Sequence, residues 1–122
     1  MIVAKVFNHD IVCQVIRLGD DMQVCVYGGK RSHIGSVVVA CPYQKDGEVH
    51  ATCSSITLLE HKDDLVASMF AKKLATEFNT VVCTSCGIHY DNVTKDQLEL
   101  IVANCQDLLK QLVKQIKEEQ NG

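Results

Sequence analysis

The sequence has no tryptophan, only three phenylalanines and three tyrosines, and a single proline, Pro42. So few rings offer no stacking platform for single-stranded nucleic acid. Neither sign of charge dominates, with 12 Lys and Arg against 15 Asp and Glu and a net charge of −3. A chain so close to balance carries no general field for nucleic acid or for an anionic membrane. No apolar run approaches the roughly 20 residues that span a bilayer. The opening stretch is apolar but broken by Lys5, Asn8, His9 and Asp10. It lacks an h-region and a small-residue cleavage site, so no export signal is read and a cytoplasmic location is expected. Repeats, low-complexity tracts and linkers are also missing, which reads as one domain over residues 1–122.

Cysteine is plentiful by contrast, and its count, seven, is odd. An oxidised, secreted domain would leave one thiol unpaired. The simpler expectation is a reducing compartment in which most of these cysteines act as small buried hydrophobes.

Short β-branched segments fill the first half. Residues 11–18 (IVCQVIRL) and 21–27 (DMQVCVY) are separated by Gly19-Asp20 and read as a hairpin, with a leading strand near residues 2–7. Residues 34–41 (IGSVVVAC) are apolar almost throughout, the pattern of a strand covered on both faces. Pro42 and Gly47 bracket another reversal, and residues 48–59 form a weaker strand. Leu65, Val66, Met69, Phe70, Leu74 and Phe78 make one apolar stripe, predicting a helix over 63–78 with Asp63 and Asp64 in its first turn. Residues 80–86 form the last strand. "TKDQ", residues 94–97, has the form of a capping box, and the apolar face from Leu98 to Ile116 makes a second, long helix. Strands, helix, strand and helix in this order predict an α+β fold, a mixed and mostly antiparallel sheet packed against two helices. Apolar residues on both alternations of several strands point to a homodimer.

Counting chain reversals places three polar segments at one rim: "GGKRSH" after the strand at 21–27, "EHK" before the first helix, and "GIHYDN" before the second. Helix starts present unpaired N–H groups and a partial positive charge, a seat for phosphate or carboxylate. Gly28 and Gly29 would let the backbone approach a ligand closely. Lys30, Arg31 and Lys62 would supply cations. His33, His61 and His89 would supply hydrogen bonds, metal ligation or proton transfer. Against this stand plainer readings, a Gly-Gly turn and solvated loop histidines. His9 and His50 are taken as structural or exposed. "CTSC", residues 83–86, suggests redox or zinc chemistry. In a strand, however, Cys83 and Cys86 point to opposite faces and share neither metal nor disulfide. Cys86 as a nucleophile near His89 has no supporting motif.

These same segments resemble the family of prenylated-flavin chaperone-like domains typified by the D subunit of bacterial gallate decarboxylase. The resemblance rests on Gly28, Gly29, His33, Ile34 and Gly35, on His61-Lys62-Asp63 ahead of an amphipathic helix, and on Gly87 to Gln97, including His89 and Asn92. It implies a sandwich like that of the proteasome assembly chaperones, dimeric and non-catalytic. It further implies prenylated FMN (or FMN) as bound cargo and a prenyl-FMN-dependent decarboxylase as partner. The positions matching the motifs are the candidate cofactor contacts: Gly28, Gly29, Lys30, His33 and Gly35, then His61 and Lys62, then Gly87, His89 and Asn92. Tyr27, Ile34, Ile88 or Tyr90 would wall the flavin ring. Two alternatives stand beside it: an assembly chaperone with no small ligand, and a metal site built from His33, His61 and His89.

Overall fold

The computed structural model describes residues 1–58 and 61–121, and only the backbone of His61 and Lys62. Six strands and two helices follow in the order β1 (Ile2–Val6), β2 (His9–Leu18), β3 (Asp21–Gly29), β4 (Arg31–Lys45), β5 (Glu48–Thr57), α1 (His61–Phe78), β6 (Val82–His89) and α2 (Lys95–Asn121). Two-residue turns close three hairpins. Phe7-Asn8 and Asp46-Gly47 each put both central residues at positive φ, as a type I′ turn requires. Gly19 supplies the single positive φ at the β2–β3 turn.

The strands form one sheet in the order β1-β2-β3-β6-β4-β5. β3 and β6 run parallel, and every other neighbouring pair is antiparallel. β6 is therefore inserted between two strands that follow each other in sequence. The segment from Gly28 to Arg31 does not close a hairpin. It crosses over the carboxyl end of β6, where Lys30 N–H donates to the His89 carbonyl at 2.7 Å.

Period two sends alternate side chains to one face. Ile11, Cys13, Val24, Val26, Val38, Val82 and Cys86 are buried there. They meet Phe70 and Leu74 of α1 and Cys105 and Leu108 of α2, all with no exposed surface. α1 lies over β4, β5 and β6, and α2 lies against β1 and α1. The capping box forms as read: Gln97 N–H donates to Thr94 Oγ1 at 3.1 Å, and Thr94 N–H donates to Gln97 Oε1 at 2.9 Å. Such a box contributes about 1 kcal/mol to a helix start.

Covering β4 on both faces, the expectation from its apolar run, is not what the fold does. Both helices pack on the same side, so Val37 is half-buried and Val39 and Ile34 are exposed on a strand whose Val38 and Ala40 are buried. The opposite sheet face carries a mixture of Val, Ile, Cys, Gln and Ser. Pro42 lies inside β4 rather than at the reversal, where β4 has run past its last contact with β6 at Ala40. Its missing N–H costs no ladder bond to β6 there. No helix among the described residues is long and apolar enough to cross a membrane.

Candidate functional site

The rim at the carboxyl ends of β3 and β6 is built by a break in pairing. Ser32 of β4 pairs with Ile88 and Ser36 pairs with Cys86, so three residues, His33, Ile34 and Gly35, oppose the single residue Gly87. Bulges of this kind bend a strand and re-aim a side chain. The His33 carbonyl folds over Gly87 so closely that a Cβ there would sit 1.5 Å from the oxygen. On the other side of the bulge, a Cβ on Gly35 would sit 2.0 Å from Asp63 Oδ2. Two glycines of the motif thus make space for a backbone and for a carboxylate.

Gly28 and Gly29 do similar work one strand away. Their φ values are +143° and +75°. Side chains there would collide with the Asp10 carbonyl at 2.0 Å and the His89 carbonyl at 2.4 Å. The close approach made possible by this pair is of the chain to its own neighbouring strands β2 and β6.

Asp63 is the centre of the arrangement. Its side chain is 3% exposed, and Oδ1 accepts the Ile88 N–H at 3.0 Å and the Cys86 thiol at 3.7 Å. Oδ2 lies 3.1 Å from His33 Nε2, a close contact but poorly aligned for a hydrogen bond. One carboxylate therefore ties the first turn of α1 to β6 and to the bulge in β4. Asp64, its neighbour, accepts a hydrogen bond from Ser36 Oγ at 3.3 Å, and Ser36 also pairs with Thr57.

His89 is the second pole. Its ring centroid lies 6.4 Å from that of His33, and its Nε2 is 2.9 Å from Asp91 Oδ1. The ammonium of Lys30 bonds to the other oxygen of Asp91. That bond, and after it the one with His89, hold the Asp91 carboxyl below the usual carboxylate range. Arg31 is exposed and stands across from His89 in the ladder. Tyr90 anchors the far side. Its hydroxyl donates to the Val6 carbonyl at 2.7 Å, and its ring meets Phe7 and His9 edge-on. A narrow cleft opens between the starts of the two helices, lined by Asp63, Val66, Ile88, Tyr90, Val93 and Ile101 among others.

Of the residues singled out from sequence, Gly28, Gly29, Lys30, His33, Gly35, Gly87 and His89 come together at this rim. Asn92 lies just beyond, exposed and left-handed at φ 52° in the turn after β6. His61 and Lys62 open α1 in the same turn as Asp63, but their side chains lie outside the described residues. So does the proposed three-histidine metal set, of which His61 is one member. Among the described residues no cluster of His, Cys, Asp and Glu is arranged to hold a metal ion. Ile88 and Tyr90 line the cleft. Tyr27 lies on the open sheet face, donating to Gln14 at 2.6 Å, and Ile34 is 63% exposed. Asp63, Asp91 and Cys86 were not among the candidate contacts. Asp63 had a sequence signal: two acids in a row at a helix start, of which Asp63 is buried and Asp64 half-buried.

The helix starts are already engaged. α2 is closed by its own capping box, and α1 carries Asp63 and Asp64 in its first turn. Positive character at the rim comes instead from Lys30 and Arg31, with His33 and His89 as polar groups that can carry charge. Cys86 is no nucleophile. Burial, and then the Asp63 charge, push its thiol far above the ordinary range. Burial likewise raises Cys13 and Cys105 to about 12. Only thiolates react readily. Native alkylation with iodoacetamide should therefore label exposed Cys41 and Cys53 and spare Cys13, Cys86 and Cys105 until denaturant is added. Early labelling of Cys86, seen by peptide mass mapping, would contradict the buried network.

The architecture is an α+β domain with one six-stranded mixed sheet and two helices. It is similar to a chain from the crystal structure of a chaperone complex for yeast 20S proteasome assembly. That match has a TM-score of 0.57 and 18% sequence identity, covering 97% of this chain and 94% of the other. At this identity the likeness shows the fold alone. The chain belongs to the prenylated flavin chaperone LpdD-like domain family, whose sequence profile matches residues 5–117. No curated protein matches it.

Proposed function

We propose that this domain is a non-catalytic cofactor chaperone. It binds prenylated FMN at the rim formed by the carboxyl ends of β3 and β6 and delivers it to a prenyl-FMN-dependent decarboxylase of the gallate type. The supporting observation is the three-against-one bulge opposite Gly87, which aims His33 at Asp63 and sets it beside His89. Membership of the flavin-chaperone family supports the choice of cargo. The rim lies beyond the carboxyl ends of the one parallel pair, β3 and β6, where the chain crosses over β6 into β4.

The residues present suit the cargo. Among the described residues His33 Nδ1 is buried without a hydrogen-bond partner, so it meets a ligand only if the bulge opens; Lys30, Arg31 and His89 offer donors to a phosphate. Ile88, Tyr90 and Val93 line a cleft of about 40 Å³, which a flat ring would cover rather than enter. The seven unpaired cysteines suit a reducing cytoplasm. A homodimer is part of this reading.

Native mass spectrometry with and without reduced prenyl-FMN tests it. His33→Ala and His89→Ala should each weaken retention of the flavin about tenfold, the cost of one charge-assisted hydrogen bond, with the fold intact. His61→Ala extends the same test to the third motif. If all three variants keep the cofactor as the parent does, the site is elsewhere. A second reading, an assembly chaperone without a small ligand, draws on the fold shared with the proteasome assembly factor. In that case partner capture survives triple replacement of these histidines and no flavin is retained.

A further inference from the structure

The two edges of the sheet are built differently. β1, on one side, is five residues long, contains Lys5 and ends in the left-handed pair Phe7-Asn8. Short length, an edge lysine and a sharp exit are the usual protections of an exposed edge. β5, on the other side, runs for ten residues from Glu48 to Thr57 and pairs with β4 alone. From Val49 to Leu58 it has no Lys, Arg, Asp, Glu or Pro. Thr52, Cys53, Ser54 and Ser55 are consecutive, small and exposed, and Ile56 beside them is 69% exposed. Beyond Ala40 the β4–β5 ribbon loses β6 as a neighbour and continues as two strands to the Asp46-Gly47 turn. Its outer part is held by a ring stack of Tyr43 on His50, with centroids 5.5 Å apart. Two strands on their own are marginal in water. A third strand on β5 would support them.

We propose that the free edge of β5 pairs antiparallel with β5 of a second copy of this chain, joining two six-stranded sheets into one across a two-fold axis. A two-fold contact sets each residue type against itself or its near neighbours. That arrangement repels wherever the edge is charged, and from Val49 to Thr57 the edge carries no Lys, Arg, Asp or Glu, its one carboxylate being Glu48 at the strand's start. Thr and Ser side chains facing one another across the axis give favourable cross-strand pairs. Ile56 of each copy continues the apolar patch that Val37 forms beside it on the open face. The small side chains from Thr52 to Ser55 leave the main chains free to come within ladder distance.

Sedimentation equilibrium and native mass spectrometry read the result. The parent chain should dimerise at micromolar concentration, at twice the 13.5 kDa chain mass. The double variant T52K/S54K should raise the dimer dissociation constant by about tenfold or more through like charges facing across the axis. Its circular dichroism should match the parent. I16K, on the open face of β2 at the other side of the sheet, should leave the edge pairing in place. Hydrogen exchange supplies a check without substitution. The β5 amides that do not bond β4 should exchange more slowly as concentration rises. A chain monomeric at all these concentrations overturns the proposal. So does a dimer broken by I16K and indifferent to T52K/S54K, which would be a face-to-face pair. The cargo is tested separately, since a monomer that binds flavin overturns the edge pairing and the homodimer but leaves the flavin site standing.

Discussion

Gly87→Ala should cost about 4 kcal/mol of folding stability, enough to leave a domain of ordinary stability mostly unfolded or close to it. The new methyl would lie 1.5 Å from the His33 carbonyl oxygen, 2.3 Å from its carbon and 3.1 Å from its Cα. All three atoms are backbone, so no side chain can swing away. The three-residue bulge would have to be remade, and His33 would lose its aim at Asp63. Gly47→Ala is the control. Its methyl meets nothing within 4 Å, and its cost comes only from φ +78° in the Asp46-Gly47 turn, about 1 kcal/mol. Urea denaturation of the two variants checks the pair of values. A Gly87→Ala protein within about 1 kcal/mol of the parent would mean that the bulge is not held as described.

Asp63 carries the second large effect. Asp63→Leu removes the acceptor of the Ile88 N–H and the neighbour of His33 in a buried site, and should cost about 3 kcal/mol. Asp63→Asn keeps an oxygen for Ile88 and should cost about 1 kcal/mol. The two values separate the lost acceptor from the lost charge. Gly35 reports on the same group, because its missing Cβ makes space for Asp63 Oδ2. Gly35→Ala should therefore be severe in the parent and milder on an Asp63→Ala background, where the obstructing carboxylate is gone. A coupling of at least about 1 kcal/mol in the double-mutant cycle is expected. Strict additivity of the two changes would show that the carboxylate does not occupy the space beside Gly35.

These predictions concern glycines that the sequence marks as unusual without saying why. "GGKRSHIG" reads as an overloaded turn, and its glycines as an approach for a ligand. In the fold, Gly28, Gly29, Gly35 and Gly87 first let the chain approach itself. The ligand-facing role of the rim is a consequence of that packing. The polar residues were located more directly. Counting reversals was enough to bring His33 and His89 to one end, because each strand and helix inverts the chain direction. Asp63 was misjudged in importance for a plain reason. An acid in a first helical turn is ordinary, and burial cannot be seen in a one-dimensional pattern.

Local periodicity, turn chemistry and capping determined the elements from the sequence by itself. The two helices, the Gly19-Asp20 reversal and the Thr94–Gln97 box depend on residues a few positions apart. Their signals can be read from short stretches, although the apolar faces of the helices are stabilised by packing in the core. Strand order, the bulge facing Gly87 and the one-sided cover of β4 were decided only by the tertiary structure. The reason is that β6 pairs with Met22–Gly29 on one side and Arg31–Ala40 on the other. Those contacts join segments dozens of residues apart along the chain, and no short-range pattern encodes which strand enters the gap. The rim exists because that insertion parts β3 from β4 and sends Gly28–Arg31 across the end of β6.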